Sequence, residues 1–152
     1  MSAKRLLVVY HSQSGRNERL AYAAAEAAQQ EGTDVMLRRA AEAGVKDLLD
    51  SDGLLLFTPE NFGALPGGMK DFLDRCFYPA NARDTVRPYA VFLCTGNDGS
   101  GAIRELERIA RGLVLKPVSE PVCCTGAPDE QAIADACELA SAMAAGLAMG
   151  IY

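Results

Sequence analysis

Five short apolar runs alternate with longer stretches that carry apolar residues at helical spacing. Few folds accommodate that alternation. The runs lie at residues 6–10, at Asp34–Arg39 with Val35 and Leu37 alternating, at Gly53–Thr58, at 88–95 and at 113–122. Leu54-Leu55-Leu56-Phe57 and Val91-Phe92-Leu93-Cys94 are almost unbroken, as expected of strands buried on both faces. Between them, residues 16–30 place Leu20, Ala23, Ala24, Ala27 and Ala28 on one side, with Gly32 as the stop. Val45–Leu49 reads as a short helical turn. Pro66 opens a helix with Met69, Phe72, Leu73 and Cys76 on one face. Ser100–Gly112 repeats the pattern through Ile103, Leu106, Ile109 and Ala110. Pro128 opens a last helix through Ile133, Cys137, Ala140, Met143 and Leu147. Pro117 and Pro121 confine the fifth run to a sheet edge.

Strands alternating with helices give an α/β, doubly wound, five-stranded parallel sheet with right-handed crossovers. For 152 residues read as one domain, 1–152, the expected strand order is 2-1-3-4-5. Ligands of such sheets lie outside the carboxyl ends of the strands, where the order reverses between strands one and three. The loops after Tyr10, Thr58 and Thr95 are therefore where chemistry is expected.

The first is His11-Ser12-Gln13-Ser14-Gly15-Arg16-Asn17-Glu18. It joins a strand to a helix start, whose free N–H groups and partial positive charge suit a phosphate. Ser12, Gln13, Ser14 and Asn17 add polar side chains, Gly15 permits close backbone approach, and Arg16 adds charge. An ordinary helix cap needs one such residue, and here several cluster. Neither the G-x-x-x-x-G-K-[ST] nor the G-x-G-x-x-G pattern occurs.

The second loop is Thr58-Pro59-Glu60-Asn61-Phe62-Gly63-Ala64-Leu65-Pro66, continuing to Phe72-Leu73-Asp74-Arg75. Phe62 can offer a flat apolar contact to a planar ring, and the Asn61-Phe62-Gly63 backbone can offer donors and acceptors at its edge. Pro59 and Glu60 complete the segment, with Glu60 also readable as a solvated carboxylate. The third loop runs Thr95-Gly96-Asn97-Asp98-Gly99-Ser100-Gly101. Its glycines let backbone lie against a planar ligand. Surface turns alone would account for many of these residues.

Ser12-x-Ser14-Gly15-x-Asn17 resembles the phosphate loop of flavodoxins, [ST]-x-T-G-x-T, with serine and asparagine in place of threonines. The second loop, with F-x-D-R after it, resembles the corresponding segment of flavodoxin-like reductases. The resemblance implies the flavodoxin-like fold and a non-covalent FMN. Its cofactor contacts would be Ser12, Gln13, Ser14, Gly15, Arg16, Asn17, Pro59, Glu60, Asn61, Phe62, Gly63, Thr95, Gly96, Asn97 and Gly99. Flavodoxins often carry a tyrosine in the third loop, and none stands there in this chain. That leaves one ring face more open and favours an NAD(P)H-dependent oxidoreductase acting on a quinone or similar small acceptor. The alternative is a flavodoxin-type carrier that exchanges single electrons with a redox protein partner. No catalytic side chain is expected, because the redox chemistry belongs to the cofactor. A phosphoacceptor regulator needs acidic residues where His11-Ser12 and Thr58-Pro59 stand, so that class is excluded.

The formal net charge of −5 disfavours nucleic acid as a partner. No apolar run reaches the length of a membrane span, and the start leads directly into a strand, so a cytoplasmic location is expected. The single histidine, His11, and the five cysteines without a C-x-x-C pair give no basis for a metal site. His11 reads as a local hydrogen-bonding residue and Cys123-Cys124 as a buried strand end, the cysteines being expected as free, buried thiols. Asp71 and Asp74 read as a charged outer helix face with Lys70 and Arg75. Tyr78 is a candidate contact for a homodimer.

Overall fold

A computed structural model describes residues 3–83 and 86–152. Strands β1 (Arg5–Tyr10), β2 (Asp34–Arg39), β3 (Gly53–Thr58), β4 (Arg87–Thr95), β5 (Leu115–Pro117) and β6 (Val122–Thr125) form one parallel sheet. Its order is β2-β1-β3-β4-β5, with β6 also paired to β4. Helices α1 (Arg16–Gln29), α2 (Val45–Leu49), α3 (Gly67–Arg83), α4 (Ser100–Gly112) and α5 (Glu130–Ala148) cover its two faces.

The expected order holds, and the expected edge strand divides in two. Leu115 and Lys116 pair with Arg87 and Pro88, and Val122–Thr125 pair with Phe92–Thr95 on the same edge of β4. Pro117 and Pro121 have no N–H to give the ladder. Between them only Val118 donates to the strand, reaching the Tyr89 carbonyl at 3.0 Å. The sixth strand is thus a continuation of an interrupted edge. It carries Cys123 and Cys124 as expected of a strand, but not buried: on this edge strand Cys123 is exposed and Cys124 half-buried.

The strand pleat sends alternate residues to opposite faces. Leu7, Val9, Leu54, Leu56, Val91 and Leu93 pack under α2, α3 and α4, with Met69, Phe72, Leu73 and Cys76 opposite them. Leu6, Val8, Leu55, Phe57, Phe92 and Cys94 pack under α1 and α5. Every residue of β3 is buried. The alanines of α1 allow it to lie close to α5, with Ala21, Ala24 and Ala28 buried between them. The outer face of α3 carries the ion pairs Lys70–Asp74 and Arg75–Asp71, both at 2.9 Å. The packing aligns the carboxyl ends of β1, β3 and β4 and brings the three polar loops together.

Candidate functional site

The first loop leaves β1 at His11, whose N–H donates to the Phe57 carbonyl at 3.0 Å. The His11 ring lies over Gly68 in the first turn of α3; a Cβ at Gly68 would sit 2.5 Å from its Nδ1. The loop closes on itself through Gly15 N–H to Ser12 Oγ at 3.1 Å. Gly15 caps α1 with φ of 92°, a left-handed conformation that favours glycine. Ser12 keeps its own O–H proton free to donate. Gln13, Ser14 and Arg16 are exposed.

Helix starts at the carboxyl edge of the sheet differ: the first N–H groups of α1 and α3 meet no acceptor among the described residues, whereas α4 is filled from within. The N–H groups of Ser100, Gly101 and Ala102 in α4 are taken by Asp98 at 3.0 Å and by Glu60 at 2.8 and 3.1 Å. The Ala132 N–H in α5 goes to Asp129 at 2.8 Å. In α1, no group among the described residues accepts from the N–H of Arg16, Asn17 or Glu18. Three aligned donors there face the loop without an internal acceptor, and a helix start in that state suits an oxyanion.

Asn17 departs from the expected role. Its side chain is buried and bonds both main-chain groups of Cys94, so it is not a side-chain donor for a ligand. Only its N–H remains for that purpose. The carboxamide instead fastens α1 to the end of β4.

The second loop turns tightly. Asn61 and Ala64 exchange N–H···O bonds of 2.9 and 3.0 Å, with Phe62 and Gly63 between them at φ of 53° and 70°. Two left-handed residues make a type I′ geometry, and a non-glycine at the first of them is strained by about 1 kcal/mol. Phe62 stands fully exposed at the tip. Asn61 Nδ2 donates to Gln13 Oε1 at 2.5 Å, linking the first two loops. Pro59 lies half-buried at the foot of the turn.

Glu60 is not a solvated carboxylate. By capping α4 it ties the second loop to the third, because the open N–H groups of that helix lie within its reach. Gly101 makes this docking feasible: a Cβ there would lie 1.8 Å from the Gly63 carbonyl oxygen. Leu65 N–H adds a bond to Glu105 Oε1 at 2.8 Å. Within the third loop, the Thr95 hydroxyl bonds the Asn97 carbonyl, which Thr125 also reaches at 3.4 Å. Thr95 is buried and Gly99 caps α4 at φ of 74°, while Gly96 and Asn97 are exposed. Hydrogen bonds from the Ser100 backbone and side chain hold the Asp98 carboxyl below its ordinary range.

The three loops therefore form one rim, crosslinked by Gln13–Asn61, Glu60–α4 and Asn17–Cys94. It offers open backbone donors at the α1 end and an exposed aromatic on the second loop. A model of the family described as flavodoxin matches residues 8–139. The chain belongs to the flavodoxin family. That family implies FMN as the group that the rim should fit. The rim fits that group: the free N–H triad suits its phosphate, and the second and third loops leave backbone and an aromatic for its ring.

Among curated relatives, a flavodoxin of Aquifex aeolicus is 38% identical over 71 residues, 46% of this chain and 38% of that protein. An NAD(P)H dehydrogenase (quinone) of Acidithiobacillus ferrooxidans is 37% identical over 92 residues, 47% of this chain and 46% of that protein. The chain matches less than half the length of either relative. An archaeal flavodoxin superposes with a TM-score of 0.79 at 16% identity, covering 92% of this chain and 96% of its own. Oxidised flavodoxin 1 of Bacillus cereus gives 0.76 at 18% identity, covering 91% and 95%. These structures share the fold.

In this flavodoxin-family chain, sequence reading missed Gly101 and Glu105 as the supports of the second loop. A glycine in the first turn of α4 was the available signal. Among the described residues, no group of three or more His, Cys, Asp or Glu side chains is placed to hold a metal ion. No described helix is long and apolar enough to cross a membrane.

Proposed function

We propose that the chain holds FMN with its phosphate at the start of α1 and its ring between the second and third loops. We further propose that it works as an NAD(P)H-dependent oxidoreductase for a quinone or similar small acceptor. The observation that carries the cofactor placement is the free N–H triad of Arg16, Asn17 and Glu18 directly after β1, beside the Ser12 and Ser14 hydroxyls, where the α4 start is already filled by Asp98 and Glu60. The Ser12 and Ser14 hydroxyls and the Arg16 guanidinium add donors and charge to the same end. The strained, exposed position of Phe62 at the rim supports a role in covering a ring edge. The backbone of Gly96, Asn97 and Gly99 supplies polar groups to the opposite edge. When bound, FMN supplies the hydride- and electron-accepting chemistry, and the protein groups position it.

The absence of an aromatic side chain between Thr95 and Gly101 supports direct access of a nicotinamide. The similarity to the Acidithiobacillus quinone dehydrogenase supports the same reading. Likeness to the Aquifex flavodoxin supports the second reading, an electron carrier between proteins.

The test has two stages. Titration with FMN should give a bound, yellow species; a folded protein that binds none overturns the placement. NADPH or NADH should then bleach the visible flavin band anaerobically without another protein. If neither does so while a partner reductase protein does, the carrier reading replaces the reductase.

A further inference from the structure

Outside the three-loop rim, the face of α3 and α4 carries a groove of about 400 Å³. That volume lies within the range of small-ligand sites. Its walls are apolar, through Leu73, Phe77, Ile109 and Leu113, and four charged side chains stand among them: Lys70, Asp74, Glu105 and Arg108. Three of the four have partners. Lys70 pairs with Asp74 at 2.9 Å, and Glu105 accepts from the Leu65 N–H at 2.8 Å. Arg108 pairs with no acidic group among the described residues.

One turn earlier on α4, Arg104 is likewise unpaired by any acidic group described. It borders the open cleft lined by Gly63, Asn97 and Gly101, where the carboxylates of Glu60 and Asp98 are turned to the α4 N–H groups. Arg104 and Arg108 are separated by about 6 Å along the helix. The two depressions thus adjoin along α4, one at the candidate ring site and one running away from it. An uncommitted guanidinium lies in each. Such guanidinium groups bind phosphates bidentately, and flat apolar walls bind purine rings.

We propose that the α3–α4 groove takes the adenosine end of NADPH, with Arg108 on the 2′-phosphate, Arg104 on the pyrophosphate and the adenine against Phe77 and Ile109. This rests on the reductase reading, to which it adds the donor: NADPH is preferred over NADH because Arg108 has no acidic partner of its own. Of the groove's two carboxylates, Asp74 is neutralised by Lys70, and Glu105 is turned to the Leu65 N–H, leaving Arg108 as the cation that must outweigh it.

The probe is adenosine 2′,5′-bisphosphate, titrated into the protein by calorimetry with 5′-AMP as comparison. The bisphosphate should bind about tenfold more tightly than 5′-AMP, and Arg108→Gln should abolish the difference. The KM for NADPH should rise in Arg108→Gln with that for NADH unchanged. FMN affinity should stay as it was, which also shows that the variant folds. Arg111→Gln, on the same helix outside the groove, should leave the bisphosphate affinity unaltered. Equal binding of the two nucleotides, or an Arg108→Gln protein that still prefers the bisphosphate, overturns the proposal. Failure of FMN to bind overturns the cofactor placement instead, and the nucleotide titration remains readable without it.

Discussion

The carboxamide of Asn17 satisfies both main-chain polar groups of Cys94, a residue 77 positions away. Nδ2 donates to the Cys94 carbonyl at 3.2 Å, and Oδ1 accepts from the Cys94 N–H at 3.2 Å. Cys94 lies one residue before the end of β4, where Thr95 opens the third loop. The pair therefore fixes the distance between the free donors of α1 and the loop assigned to the ring. Asn17→Ala should leave two buried backbone groups unsatisfied and cost about 1–3 kcal/mol. Urea unfolding of the FMN-free protein measures this. An unchanged midpoint would show that water replaces the amide at no cost.

Gly15 tests where the phosphate sits. At φ of 92° a β-branched residue is strained, and the added bulk stands where a phosphate would approach the N–H groups. Gly15→Val should weaken FMN by about tenfold or more and riboflavin little, since riboflavin lacks the phosphate. Fluorescence titration of both ligands decides the matter. Equal losses would move the phosphate elsewhere.

Gly101 should give the opposite pattern. Its Cβ would overlap the Gly63 carbonyl oxygen, so Gly101→Ala must push the second loop off α4 and strip Glu60 from its cap. Overpacking of this kind costs about 1–3 kcal/mol. FMN and riboflavin should weaken together, because the displaced loop is the one assigned to the ring. A variant with wild-type affinity for both ligands would show that the loop's docking is irrelevant to binding.

Cys76 gives a pH signature. Burial in the core face of α3 pushes its thiol up to about 11 from an ordinary value of 9.0, with Arg75 pulling slightly the other way. The folded state then holds a proton that the unfolded chain releases, so unfolding becomes easier as pH rises. The contribution is intact below pH 9 and is lost as pH rises towards about 11. Up to about 2–3 kcal/mol is at stake across that window. The stability difference between wild type and Cys76→Ala should narrow over the same window. A constant difference would mean that the thiol is not desolvated.

The sheet, its strand order and the three loops at its carboxyl edge were legible in the sequence. Apolar runs and helical spacing are local, periodic signals, and the handedness of strand–helix–strand crossovers fixes much of the rest. The prolines at 117 and 121 marked an edge, but residue types alone did not show that the ladder resumes at Val122 to make a sixth strand. The same limit holds within the site. Glu60 read as a solvated carboxylate because its acceptors' partners, the N–H groups of Gly101 and Ala102, lie 41 and 42 positions further on. Asn17 read as a ligand donor because Cys94 lies still further off, 77 positions on. A polar side chain bonds whatever unsatisfied group the fold brings within about 3 Å. Local sequence determines which groups are available; only tertiary packing decides which are already engaged.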